Sequence, residues 1–305
     1  MGPLSTPRGG PPIPRSRRRL GRIHALTSVL LLVILVVAQP SPAIAAQLRL
    51  DRRIRTTPFA GSNVSMRDGE GSAYVPADNS LWLADDNGRA IYEVNASTGA
   101  LKRRIQRAAF ESARKLGGGP VAGPDRARDF ESIAYDGVND VLFVFSGPCC
   151  SASVEPTAFR LRRTNGRFRV ESYQPLPDAS NFTAAAWSPS ARRIYVGWRG
   201  VLRTYRYEAN AIGSPVRVPN LSGIQGMGFG SGGGLWVVTS AEQLRRVDWG
   251  SKRLVAGWTF DLERFQIRDA RAVEVIGGRP YVLDGYDGRP AGDPLRYAVS
   301  VFRVV

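Results

Sequence analysis

Glu70-Gly71-Ser72-Ala73-Tyr74, Leu81-Trp82-Leu83-Ala84 and Ile91-Tyr92-Glu93-Val94 are three short apolar runs divided by turn residues, and the set recurs. A second copy reads Glu131-Ser132-Ile133-Ala134-Tyr135, Val141-Leu142-Phe143-Val144 and Ala158-Phe159-Arg160-Leu161. A third has Thr183-Ala184-Ala185-Ala186-Trp187, Ile194-Tyr195-Val196-Gly197 and Leu202-Arg203-Thr204-Tyr205. The fourth is Gln225-Gly226-Met227-Gly228-Phe229, Leu235-Trp236-Val237-Val238 and Leu244-Arg245-Arg246-Val247. The fifth is Ala272-Val273-Glu274-Val275, Pro280-Tyr281-Val282-Leu283 and Tyr297-Ala298-Val299-Ser300-Val301-Phe302. The first four copies start at Glu70, Glu131, Thr183 and Gln225, which are 61, 52 and 42 residues apart. Helical periodicity is almost absent. Turns such as Asp86-Asn87-Gly88, Thr98-Gly99 and Thr164-Asn165-Gly166 fall where hairpins need positive φ. Short strands repeating at such a period predict an all-β fold, a β-propeller.

The first run of each copy is rich in small residues (Gly71, Ala73, Ala134, Ala184, Ala186, Gly226, Gly228), as an innermost strand crowded at an axis requires. Five blades are expected, with six the alternative if the long gap between copies one and two hides another. That gap reads instead as a helix from Arg103 to Leu116, stopped by Gly117-Gly118-Gly119-Pro120. Gln47 to Thr56 is a strand without a partner of its own, placed to complete the last blade and close the ring.

Residues 1–46 differ from everything after them. They carry six arginines and no acid, then an apolar run from Ala25 to Ala38 and the small-residue stretch Ala43-Ile44-Ala45-Ala46. A basic leader, a short greasy segment and an Ala-x-Ala site constitute a secretory signal, cut after Ala45 or Ala46. An uncleaved anchor is the competing reading, but the apolar run is short for a span of about 20 residues. Ser16-Arg17-Arg18-Arg19-Leu20 also suits a twin-arginine signal, so the export route stays open between that and the general one. Residues 47–305 then form one mature propeller domain in the periplasm, cell envelope or medium. No further run of that kind follows, and no membrane span is expected after cleavage.

The signal takes six of the 42 basic residues, leaving 36 against 26 acids and a net charge near +10. Only three of them are lysines, Lys102, Lys115 and Lys252, and the arginines lie scattered among acids with no run of five like charges. Nucleic acid is therefore not an expected partner. The one histidine, His24, lies in the signal. A mature chain without histidine excludes Ser-His-Asp and Cys-His catalysis, an imidazole base and nearly every zinc site. Its remaining metal ligands are oxygens, which suit calcium or magnesium. The two cysteines, Cys149 and Cys150, are adjacent and staple no distant parts of the chain; a stiffened rim loop is their expected role.

In a propeller, residues at one position of each copy converge on the axis. Here that ring is Glu70, Glu131, Asn181 or Thr183, Gln225, and Asp269 or Arg271. Glu70, Glu131, Asn181, Gln225 and Asp269 together offer carboxylate and amide oxygens suited to a calcium ion. A solvated channel lined by the same polar residues is the plainer alternative. A second set, Asp85, Asp86, Asn87, Asp284 and Asp287, reads chiefly as hairpin-turn residues, with Asp85 and Asp284 also placed to face the channel mouth.

Gly69-Glu70-Gly71, Leu81-Trp82-Leu83-Ala84-Asp85 and Ile91-Tyr92-Glu93-Val94 with Thr98-Gly99 resemble the opening blade of gluconolactonase/regucalcin-type propellers. Ala186-Trp187-Ser188-Pro189 and Ile194-Tyr195-Val196, following Asn181, look like a later blade of that group. Asp129-Phe130-Glu131-Ser132-Ile133-Ala134-Tyr135-Asp136 is closer to the SdiA-regulated, phytase-like "esterase-like" propellers. The lactonase resemblance implies a divalent metal held by a Glu, an Asn and an Asp, the Asp assisting hydrolysis. Glu70 matches the first and Asn181 the second, but Gln225 stands where the Asp is expected. Ser72 replaces the usual proline and Phe182 the usual glycine.

Two functions remain open at this stage. One is an exported, monomeric propeller binding a small molecule, glycan or partner at its channel mouth, with a calcium ion in the ring. The alternative is a metal-dependent lactone or ester hydrolase with Glu131 or Asp269 as base. Export predicts that protein recovered from the envelope or medium of an expressing bacterium begins at Ala46 or Gln47 by N-terminal sequencing. Recovery of a chain still starting at Met1 overturns it.

Overall fold

The computed structural model describes residues 46–147, 155–177 and 182–305. Residues 1–45, which hold the segment expected to be a signal, and Cys149-Cys150 lie outside the described residues. The chain opens with β1 (Leu48–Ile54), whose partner is formed last. Blade one is β2 (Gly69–Val75), β3 (Ser80–Asp85), β4 (Ala90–Asn95) and β5 (Leu101–Gln106). A connection of α1 (Arg107–Glu111), β6 (Arg114–Lys115) and α2 (Gly123–Arg126) leads to blade two. That blade is β7 (Phe130–Asp136), β8 (Val141–Ser146), β9 (Thr157–Thr164) and β10 (Arg167–Pro175), with β6 added in parallel outside β10. Blade three has β11 (Ala184–Ser188), β12 (Arg193–Trp198) and β13 (Val201–Arg206), edged by the short β14 (Ala211–Ile212) and β15 (Val216–Arg217). Blade four is β16 (Ile224–Phe229), β17 (Leu235–Thr239), β18 (Gln243–Asp248) and β19 (Arg253–Asp261). Blade five is β20 (Ala270–Ile276), β21 (Arg279–Asp284) and β22 (Val299–Val304), completed by β1.

The fold is thus a five-bladed β-propeller closed by its N-terminal strand. Leu48 pairs with Val304 and Ile54 with Val299. Gln47 and Val305 exchange backbone hydrogen bonds of 2.8 and 2.9 Å beyond the strand ends. Five apolar clusters fill the five interfaces between neighbouring blades. Every residue of β3 and of β8 is buried, because the second strand of a blade has a neighbouring blade on both faces. That is why these runs are apolar throughout instead of alternating. Aromatic pairs lock one blade to the next: Trp82 meets Phe168 edge-on at 5.7 Å, and Tyr195 meets Trp249 at 4.8 Å. The outer strands carry arginines such as Arg104, Arg162 and Arg169, charges that discourage edge pairing with another chain.

Two expectations need correction. The helix expected over Arg103–Leu116 is only α1, Arg107–Glu111. Residues 103–106 remain in β5 because Ile105 turns into the core while Arg103 covers Trp82 and binds Glu93 at 2.9 Å, a period of two. Phe110 then anchors α1, 4.6 Å from Phe130 and 5.2 Å from Phe159. The three-strand repeat is also incomplete, since β5, β10 and β19 supply fourth strands whose exposed, arginine-bearing faces hide the pattern. Among the described residues no helix is long and apolar enough to cross a membrane.

The inner strands β2, β7, β11, β16 and β20 surround the axis at backbone distance. A Cβ on Gly226 would lie 2.5 Å from Ala272 Cα, and one on Gly71 equally close to Ser132 Cα. Gly226→Val is expected to destabilise the domain by roughly 2–3 kcal/mol through overpacking against backbone. Gly232→Val, at a site with open space around it, is expected to change stability little. Thermal melts of the two variants check this.

Candidate functional site

Four of the five inner strands enter their sheets through an irregularity at the same place. Pairing skips one residue between Gly69 and Gly71, Phe130 and Ser132, Ile224 and Gly226, and Ala270 and Ala272. The skipped residues are Glu70, Glu131, Gln225 and Arg271. A bulge leaves one residue out of the ladder and re-aims its side chain. In blade three the equivalent position is Thr183, just before β11, whose hydroxyl donates to Ile224 O at 2.8 Å.

A second level lies two residues earlier. Asp68 O accepts from Asp86 N at 3.0 Å, and Asp129 O, Gly223 O and Asp269 O accept from Gly147 N, Ser240 N and Gly285 N at 2.7 Å each. The candidates named from the sequence therefore come from two levels. Glu70, Glu131, Thr183, Gln225 and Arg271 form the bulged ring, while Asp269 belongs with Asp68 and Asp129 above it. Asn181 lies outside the described residues. Asp68 escaped the sequence reading, although its spacing to Glu70 repeats that of Asp129 to Glu131 and Asp269 to Arg271.

Arg271 dominates this end of the axis. Its Nη1 lies 3.1 Å from Glu70 Oε2 and its Nε 2.8 Å from Asp269 Oδ2. Burial works against its charge, but Glu70 and Asp269 raise its pKa above the usual arginine value. Glu70 is almost enclosed; burial pushes its carboxyl well above the usual range, Arg271 opposes this, and Glu131, Asp68 and Asp269 add to it. Burial likewise raises Asp68 to about 6 against the pull of Arg271. Asp86 is pushed up to about 7 by burial and by Asp129, Asp68 and Asp85. Below the ring the axis is filled: the space bordered by Glu70, Ser72, Ser132, Thr183, Met227 and Arg271 is about 10 Å³. That holds at most one water, so a ligand has to sit at the mouth.

Asp85 and Asp284 do structural work. Asp85 accepts backbone N–H bonds from Arg67, Asp68 and Gly88 at 3.1, 2.9 and 2.7 Å. Asp284 accepts from Asp269 and Tyr286, both at 3.2 Å, and from the Arg289 guanidinium at 3.1 Å. Each ties the segment entering its blade to the end of the second strand.

The oxygen donors have the right chemistry for calcium, and Asn181 among them lies outside the described residues. A guanidinium already neutralises Glu70 and Asp269, and among the described residues no three acidic side chains converge on a common point.

No protein-family model and no curated protein sequence matches the chain. Solved structures do. The glutaminyl cyclase of Myxococcus xanthus superposes with a TM-score of 0.57 at 11% identity, over 84% of this chain and 96% of that one. The PQQ-bound aldose sugar dehydrogenase of Streptomyces coelicolor gives 0.52 at 13% identity, over 87% and 100%. A gluconolactonase of Xanthomonas campestris gives 0.49 at 12% identity, over 85% and 90%. At these identities the first two likenesses establish the shared propeller fold, and the third is too loose to add to it.

The raised carboxyls set the pH dependence of stability. An unfolded chain ionises these groups first, so stability falls as pH rises from the ordinary carboxylate range through the values for Asp68 and Asp86. The melting temperature is expected to decline between pH 5 and 8. Arg271→Leu should lower stability by about 1–3 kcal/mol at pH 7, between exposed and buried pairs, and steepen that decline. Adding Glu70→Gln should recover part of the loss.

Proposed function

We propose that the chain is an exported ligand-binding propeller that holds a small hydroxyl-rich molecule or glycan at the mouth carrying Asp68, Glu70 and Arg271. The observation behind this reading is the built-in cation. Arg271 joins Glu70 and Asp269 into a preorganised set of one donor fork and several acceptor oxygens, the pairing that neighbouring hydroxyls on a sugar ring satisfy. Carboxylates accept from two adjacent hydroxyls, and the guanidinium donates to a ring or carbonyl oxygen. The filled axis beneath gives the mouth a rigid floor.

Hydrolysis of a lactone or ester is the second reading. What favours it is that Asp68 and Asp86 titrate near neutrality, where a carboxyl both accepts and releases protons usefully. Calorimetry against neutral sugars, polyols and sugar lactones, alone and with calcium, separates the two. Saturable sugar binding without turnover, weakened at least tenfold by Glu70→Gln, is expected. Turnover that needs calcium and disappears in Glu131→Gln or Asp269→Asn would favour the hydrolase. Neither binding nor turnover overturns both.

A further inference from the structure

The opposite end of the axis carries a different chemistry. Four residues beyond the ring, roughly 13 Å along each inner strand, the equivalent positions are Tyr74, Tyr135, Trp187, Phe229 and Val275. They pair in turn with Leu81, Leu142, Ile194, Leu235 and Pro280. All five border one bowl of about 470 Å³ on the axis, rimmed by the hairpins that join the first two strands of each blade. That volume suits a small organic ligand. The rings are fixed before any ligand arrives. Tyr74 donates its hydroxyl to Asn79 Oδ1 at 3.3 Å and Tyr135 donates to Asp140 Oδ1 at 3.0 Å, so both present their rings, not their hydroxyls, to the bowl.

One acidic side chain stands in the largely apolar lining. At the position one residue before these aromatics, four blades have Ala73, Ala134, Ala186 and Gly228, and the fifth has Glu274. Its strand lies so close to β16 that a Cβ on Gly228 would come within 3.2 Å of Glu274 Cα, which directs Glu274 away, toward β2. There the backbone N–H groups of Tyr74 and Val275 favour its charged form. Among the described residues no arginine or lysine borders the bowl or forms an ion pair with Glu274. The other titratable groups facing it are phenols: Tyr74 on β2, Tyr135 on β7, and Tyr281 opposite it on β21; β16 contributes none. Burial pushes the Glu274 carboxyl up to about 8.

A half-buried acid without a cation, beside four aromatic side chains, has the complementarity of a site for a soft, poorly hydrated cation. Aromatic faces attract such a charge through their quadrupole, and the acid completes the neutralisation. We propose that this bowl binds an organic ammonium ion, a quaternary or alkylated amine, with its cationic head over Tyr74, Tyr135, Trp187 and Phe229 and against the carboxylate of Glu274. A net basic chain would otherwise repel such a ligand, so the site rests on local chemistry. The inference is independent of the sugar-binding mouth at the other end.

The test is a titration of the mature protein with choline and with 3,3-dimethyl-1-butanol, its uncharged isostere, followed by calorimetry and tryptophan fluorescence. Choline is expected to bind saturably and at least tenfold more tightly than the isostere. Because the cation selects the ionised acid, its affinity should rise up to tenfold per pH unit from pH 6 toward 8 and level off above. Glu274→Gln should weaken choline at least tenfold and flatten the profile. It should also melt higher than the parent at alkaline pH, which shows that it folds. Trp187→Leu should weaken choline with the pH profile kept. Equal affinity for the two probes, no saturable binding of choline, or an unchanged profile in Glu274→Gln overturns the proposal.

Discussion

The structure depends on five strands meeting around one axis with almost no room between them. Where β2 faces β7 and β16 faces β20, a single methyl group would collide with backbone. That crowding fixes Gly71, Gly226 and Gly228, and the alanines of the other blades. It also leaves about 10 Å³ of space along the middle of the axis, so room for a ligand exists only at the two ends. Ring closure keeps the strands there: β1 and β22 join the two ends of the domain in one sheet, so no blade can lean outward without opening it.

The two ends then differ for a reason of strand geometry. At the entry end, a bulge in four of the five inner strands frees one residue from the ladder, and the freed residues are polar. Their burial sets carboxylates against one another, and Arg271 is the group that makes the arrangement tolerable. At the exit end the strands are regular, and four of the five equivalent positions are aromatic, the fifth being Val275. Glu274 is the exception, a carboxyl where the other blades place a methyl group or hydrogen. A half-buried acid with a raised pKa opposes folding once ionised, and such a cost is characteristic of functional positions.

In the ring Glu70 and Glu131 are acids, Thr183 and Gln225 are neutral and Arg271 is a cation, so the ring carries its own counter-charge. The glutaminyl cyclase and the sugar dehydrogenase share the propeller but, at 11% and 13% identity, leave the chemistry of this ring to its own residues.

Sequence by itself determined the all-β class, the blade repeat with five copies preferred over six, and the closing role of residues 47–56. It did so because those features rest on apolar periodicity and small-residue placement, which are local. The absence of histidine from residues 47–305 likewise needed no coordinates. The fourth strands were hidden, since an exposed edge strand tolerates arginines and carries no apolar signature. Tertiary structure decided that Arg271 lies between Glu70 and Asp269, that Asp68 joins them, and that four aromatics and Glu274 share one bowl. Those pairings bring together residues up to about two hundred positions apart, and only the closed ring sets the distances between them.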